Sequence, residues 1–214
     1  ATITITGTND TPTIAAALSG AADEDDAVFT VDLLAGAGDV DNGAALSVTS
    51  VSGLEAGVSV SGSTLTVDPS NAAFQSLALG EDKVITVTYN VTDEHGASVA
   101  QSATITITGT NDTPTVAAAL TGAADEDDAV FTVDLLGGAD DVDNGAVLGV
   151  ANVAGLVAGV SLSGSTLSVD PSDAAFQSLA AGEDKVITVT YDVIDGLGGS
   201  VAQWRVYASL RFRG

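Results

Sequence analysis

The chain has no cysteine, a single histidine and only 5 basic residues in 214, and each shortage removes a class of function. Without cysteine there is neither a disulfide scaffold nor a Cys-based zinc site. The lone His95 has Leu197 as its counterpart in the repeat described below, so a His-dependent nucleophile pair is not expected. Aromatic residues make up 4% of the chain, and of three Tyr and five Phe, Tyr207 and Phe212 lie in the last eleven positions. That is too few for a sugar-stacking trough around paired carboxylates, so a glycosidase, and an enzyme generally, is not expected. No apolar run approaches the ~20 residues of a membrane span, and no signal peptide precedes Ala1. The start in mid-pattern reads as a piece of something longer.

Acidic residues are what the chain has in excess: 29 against the 5 basic ones, for a formal net charge of −24. Such a surface repels phosphate backbones and anionic lipid, which excludes nucleic acid as a partner and suits a divalent-rich environment. Repetition is the second abundance. ATITITGTNDTPT opens the chain at Ala1 and returns at Ala103, and the register then holds without a gap to Gln101/Gln203, with roughly 80 aligned positions identical. Two units of about 100 residues, each able to bury its own core, are expected.

The apolar period is two, that of a half-buried strand. Phe29, Val31 and Leu33 alternate; VSVSGSTLTV, with Val58, Val60, Leu65 and Val67, reads as a hairpin; Ile85, Val87, Tyr89 and Val91 share one face of KVITVTYNV. Taking strand A as TPTIAAALS (11–19), B as 27–34, C as 46–53, a D–E hairpin, F as 83–91 and G as 97–109 gives an all-β Greek-key sandwich per repeat. Residues 68–82, DPSNAAFQSLALGED, break the alternation. Asp68, Pro69 and Gly80 predict a short capped helical turn, anchored on the core by Phe74 and Leu77.

In such a sandwich alternate connections fall at opposite poles. GDVDNG after strand B and TDEHG after strand F share one pole, while ADEDD and GED share the other, from which the linker TGTNDTP departs. Glu24, flanked by Asp23 and Asp25, and Glu81 are thus expected to reach the junction from the first domain, Asn111 and Asp112 from the linker, and Asp141, Asp143 and Asp195 from the second domain. Calcium takes ~6 to 8 oxygen ligands of these kinds. Unneutralised, such carboxylates repel by ~4 kcal/mol per pair at a surface-like dielectric. A solvated acidic face is the bland alternative, weakened here by the scarcity of basic residues. The DVDNG loop is not an EF-hand, since Ser50 falls where the twelfth-position glutamate belongs. Asn9 and Asn111 also match the glycosylation acceptor pattern, but a calcium-binding role in the linker explains the same residues better.

The order of a glutamate after strand A, D-x-D-N-G after strand B, G-E before strand F, Y-x-V-x-D at its end and N-D-x-P in the linker resembles cadherin repeats. GEDKVITVTYNVTDEHGASVAQSATITITGTNDTPT is closer still to the VCBS repeats, or cadherin-like repeats, of large bacterial RTX-type surface adhesins. The resemblance implies two tandem cadherin/Ig-like sandwich domains in an elongated rod, with Ca2+ between successive domains. On it, Glu24 and Glu81 take the base-glutamate positions, Asp141 and Asp143 the D-x-D pair, Asp195 the aspartate ending strand F, and Asn111 and Asp112 the linker ligands. Asn9, Asp10, Asp39, Asp41 and Asp93 repeat the linker and upper half, and Glu126 and Glu183 the lower half. The departures are DED in place of Pro-Glu-Asn and a linker shorter by one acidic position.

The expected division is 1–7 as the last strand of a preceding repeat, 8–109 and 110–203 as the two repeats, and 204–214 as an atypical tail, a reading-frame change or cloning remnant. The expected function is that of calcium-rigidified spacer repeats of a secreted bacterial adhesin, acting in cell adhesion and biofilm at the cell surface. Neighbouring repeats would be the partners, without membrane insertion. The alternatives are a calcium-dependent module for polysaccharide or another cell surface, and homophilic adhesion.

Overall fold

The computed structural model describes residues 1–180 and 182–211, and every regular element among them is a strand. The chain divides into two compact units, Ala1–Thr110 and a second that begins at Asn111. In the first unit the strands are β1 (Thr13–Ile14), β2 (Leu18–Asp23), β3 (Phe29–Asp32), β4 (Ala37–Gly38), β5 (Ser47–Ser52), β6 (Val58–Ser61), β7 (Thr64–Val67), β8 (Asp82–Thr92) and β9 (Ser98–Thr108). They form a four-stranded sheet of order β2-β9-β8-β5, a three-stranded sheet β3-β7-β6 and a small β1-β4 pair. Side chains from both larger sheets meet in one core of Leu33, Leu65, Val67, Ile85, Val87, Tyr89 and Ile105, among others. The period-two face of β8 is buried throughout, and Tyr89 completes it by donating its hydroxyl to the Leu33 carbonyl at 2.9 Å.

Two expectations need correction. Strand A is not one strand: β1 runs antiparallel to β4, while β2 runs parallel to β9 from Leu18↔Ala103 to Asp23↔Thr108. Between them Ala15–Ala17 carry no bulk to commit either way, and the backbone crosses with Ala15 N–H on the Gly36 carbonyl and the Gln101 amide on the Ala16 carbonyl. The segment 68–82 contains no helix. It is a run of turns, with Asn71, Phe74 and Leu77 N–H groups donating to the carbonyls three residues back. The Asn71 side chain takes the Ala73 N–H, offering the backbone a local partner that competes with a helical ladder. Phe74 and Leu77 are nevertheless buried, as anchors should be.

The second unit repeats this architecture in β10 (Thr115–Val116), β11 (Leu120–Asp125), β12 (Phe131–Asp134), β13 (Ala139–Asp140), β14 (Gly149–Ala154), β15 (Val160–Ser163), β16 (Thr166–Val169), β17 (Asp184–Ile194) and β18 (Ser200–Arg211). Its sheets are β11-β18-β17-β14, β12-β16-β15 and β10-β13. The atypical tail thus continues as strand to Arg211, with a register shift. Val87 pairs with Ala103 in the first unit, yet Val189 pairs with Val206, one residue beyond the repeat period. The extra residue is absorbed between the Tyr191↔Gln203 and Val189↔Val206 pairs. Residues 212–214 of that tail lie outside the described residues. At the other end, residues 1–12 carry no strand, and Ile3 and Ile5 are exposed.

Candidate cation-binding poles

The upper pole of the second unit is built by its linker residues and two loops. Asn111 donates its amide to Asp195 Oδ2 at 2.9 Å and to the Asp112 carbonyl at 3.0 Å. Asp112 N–H donates to Asp143 Oδ2 at 2.9 Å, and Asp143 N–H to Asp141 Oδ1 at 3.0 Å. Asp195 Oδ1 accepts the N–H groups of Leu197, Gly198 and Gly199. The Asn111 amide and then these backbone donors hold its carboxyl below the ordinary carboxylate range, against the opposing effect of burial. Asp195 therefore works first as the organiser of the loop after β17. A side chain at Gly199 would collide with that carboxylate and with the Asp112 carbonyl.

The first unit makes the same constellation with its own residues. Asn9 donates to Asp93 Oδ2 at 2.9 Å, Asp10 N–H to Asp41 Oδ2 at 2.8 Å and Asp41 N–H to Asp39 Oδ1 at 2.9 Å. Asp93 accepts from His95 and Ala97 N–H and is likewise pulled down, chiefly by Asn9. His95 itself stands 3.8 Å from Glu94 in the exposed loop.

At the lower pole of the first unit Glu24 is fully buried. It receives Thr110 N–H on Oε1 at 2.8 Å, while its backbone is fixed by Thr108 and by the Gln75 amide. Thr110 Oγ1 also donates to Asp25 at 2.9 Å. Glu81 is exposed, and its Oε2 turns back to accept the Ala78 N–H at 3.0 Å. In the second unit Glu126 is 5% exposed. Burial, then the charge of Asp127, pushes its carboxyl up. Glu183 repeats the Glu81 turn, on Ala180 N–H. By the repeat period Phe212 corresponds to Thr110 and lies outside the described residues.

After all these bonds, several buried side-chain oxygens have no hydrogen-bond partner: Asp39 Oδ2, Asn111 Oδ1, Asp141 Oδ2, Asp143 Oδ1 and Glu126 Oε2. Such atoms cost stability unless a cation or water satisfies them. All are hard oxygens, carboxylate or amide, and no sulfur is available, so the donor set fits Ca2+ and not a thiolate-seeking metal.

Three contributors escaped the sequence reading. Thr110 and Gln75 tie Glu24 down, and both recur or sit in recurring motifs, so the repetition signal was there to find. Glu94 accepts the Ala45 N–H at 2.8 Å and joins the two upper loops of the first unit. Its carboxyl is lowered by that bond first, but Gly196 stands at its place in the second repeat, so repetition gave no hint.

These features define a tandem pair of cadherin/Ig-like β-sandwich repeats. Residues 9–108 match the family model described as a bacterial Ig domain. Among solved structures, the chain is similar to human protocadherin-24 EC1-2, with a TM-score of 0.53 and 19% identity, covering 96% of this chain and 99% of that one. It is also similar to mouse cadherin-23 EC22-24, with a TM-score of 0.52 and 16% identity, covering 92% of this chain. The chain spans 62% of that cadherin-23 fragment's length. No curated protein matches it in sequence. At these identities the likeness to solved structures shows the fold. Ig-like and cadherin-like domains are typically structural or adhesive modules, of the kind found in extracellular repeats. No helix among the described residues is long and apolar enough to cross a membrane.

Proposed function

We propose that the chain is a pair of calcium-rigidified spacer repeats of a bacterial surface adhesin of the VCBS type. The single observation that carries the reading is the set of buried, unpartnered acidic and amide oxygens at the poles of both units. It is supported by the linker. Thr110 is bound to Glu24 of the first unit and the next residue, Asn111, to Asp195 of the second.

On this reading Glu24 and Glu81, Asn111 and Asp112, and Asp141, Asp143 and Asp195 supply ligands to shared cations. Asn9, Asp10, Asp39, Asp41 and Asp93 form an upper half-site, and Glu126 and Glu183 a lower one, each awaiting the complementary half of a neighbouring repeat. Calcium supplies charge neutralisation and a preference for a full oxygen shell. The chain's own contribution is to hold those oxygens in place beforehand, through the backbone N–H donors around Asp93, Asp195 and Glu24. Because the ligands come from two domains and their linker, bending would break coordination, and the string becomes stiff where calcium is millimolar. Its partners are then neighbouring repeats, and its place is outside the cell.

Small-angle scattering with calcium and with chelator tests this directly. A fixed, narrow distribution of interdomain distances in calcium and a broad one in chelator is expected. Identical profiles in the two conditions would end the proposal.

A further inference from the structure

The chain passes from the first unit to the second through Gly109, Thr110, Asn111 and Asp112, and each end of that passage is held by its own unit. In the first unit the Gly109 N–H donates to the Glu81 carbonyl at 2.8 Å, and the Gly109 carbonyl accepts the Gly80 N–H at 2.9 Å. The main chains lie so close here that a Cβ on Gly109 would fall on the carbonyls of Ala78 and Leu77. Thr110 is taken by a different loop, its N–H by Glu24 Oε1 at 2.8 Å and its hydroxyl by Asp25 Oδ2 at 2.9 Å. Thr110 therefore leaves the first unit with its N–H, its side chain and the carbonyl before it already committed.

The hold of the second unit starts at the very next residue. Asn111 donates its amide to Asp195 Oδ2, and Asp112 N–H donates to Asp143 Oδ2. Pro114 is buried, and β10 begins at Thr115. The first unit makes the same upper clasp, with Asn9 on Asp93 and Asp10 on Asp41, so the clasp is a property of the repeat. Every donor in both kinds of clasp is an N–H or O–H group, and none of these bonds requires a cation.

We propose that the two clasps leave a single hinge, the Thr110–Asn111 link, and that the passage between the repeats stays ordered on both sides of that link without metal. The peptide plane is rigid, so the freedom that remains is rotation about the two single bonds flanking it, Thr110 Cα–C and Asn111 N–Cα. A flexible tether is different, because every unheld residue adds two more such torsions. The inference concerns bonds within the protein and does not depend on the calcium reading. It does extend that reading: a cation at the junction has only this one link to freeze, which costs far less conformational entropy than ordering a loose linker.

Amide hydrogen exchange of the native chain in chelator tests this residue by residue. Gly109, Thr110 and Asp112 should exchange at least about tenfold more slowly than an unstructured chain, and Asn111, whose N–H donates to no group among the described residues, close to the unstructured rate. Gly109→Ala should abolish protection at Thr110 and leave it at Asp112, because the clasps are separate. A second measurement needs no destabilising change. The chain has no cysteine, and Ser59 and Ser161 are exposed on β6 and β15, so Ser59→Cys with Ser161→Cys takes one spin label on each unit. Inserting Gly-Ser between Thr110 and Asn111 should roughly double the width of the label-to-label distance distribution in chelator, with exchange at Thr110 and Asp112 unchanged. Unstructured exchange rates at Thr110 or Asp112 in chelator, or a distribution that the insertion does not widen, would overturn the proposal by showing a loose tether. Loss of both protections in Gly109→Ala would overturn it too, by showing one cooperative junction. If the exchange pattern holds while calcium leaves the native distance distribution unchanged, calcium stiffening fails and the hinge stands.

Discussion

Asp143→Asn is the substitution that most sharply separates a ligand from a packing residue. Asp143 is 6% exposed; Oδ2 accepts Asp112 N–H at 2.9 Å, and Oδ1 is buried with no hydrogen-bond partner. Asparagine keeps the volume and can keep the Asp112 bond through its carbonyl oxygen. It removes one charge and turns the unpartnered oxygen into an amide nitrogen that cannot bind a cation. In chelator the change should be nearly neutral, within about 1 kcal/mol, since one bond survives and a buried unpaired charge disappears. In calcium the balance reverses. At about 10 mM ion and a Kd of ~10⁻⁴ M, as for extracellular modules, binding stabilises the native state by about 2.7 kcal/mol. For a domain of about 100 residues that is a rise in Tm of roughly 10–20 °C. A tenfold loss of affinity removes ~1.4 kcal/mol, about half of the shift. Calorimetry of the native chain and the variant, each with chelator and with calcium, reads these four values. A variant equally destabilised in both conditions would show that the carboxylate acts by packing and would refute the assignment.

Other outcomes follow from the geometry of the cores and of the lower pole. Tyr89→Phe and Tyr191→Phe strand the Leu33 and Leu135 carbonyls, which accept at 2.9 and 2.8 Å; each should lower unfolding free energy by about 1–2 kcal/mol in urea titrations. Burial first, and then Asp32 or Asp134, raises both tyrosine pKa values. Their contribution to stability is therefore full below the ordinary value of about 10 and lost as pH climbs through the folded-state values. Tyrosinate absorbance should appear late and together with unfolding. Gly57 has φ +81°, and a Cβ there would lie 2.6 Å from the Phe74 ring; Gly57→Ala should cost more than about 1 kcal/mol, visible as a lower urea midpoint. Glu24→Gln should leave the Thr110 bond in place yet reduce the calcium-dependent Tm shift, measured by the same calorimetry.

Much of the fold was legible because a half-buried strand imprints its period directly on the sequence. KVITVTYNV was read as 83–91 and is β8 at Asp82–Thr92. The Val58–Val67 hairpin, the burial of Phe74 and Leu77, and two sandwiches were likewise written in alternation and repetition. The acidic motifs were readable as motifs, since their offsets recur.

What the sequence could not decide depended on competition between distant partners. Ala15–Ala17 are silent about which sheet to join, and only the late arrival of β9 beside β2 converts strand A into two pieces, one of them parallel. The turn residues 68–77 have helix-compatible caps, but Asn71's local bond to Ala73 wins once Phe74 is seated in the core. RVYASLR alternates one residue out of phase with the repeat, and its register is set by β17 and β11 on either side. At the poles, composition supplied the carboxylates; tertiary structure decided which oxygens the backbone consumes, as at Asp195 and Glu81, and which are left buried without a hydrogen-bond partner, as at Asp143. A hydrogen bond depends on where two groups meet in space, and a one-dimensional pattern fixes only how often each group occurs.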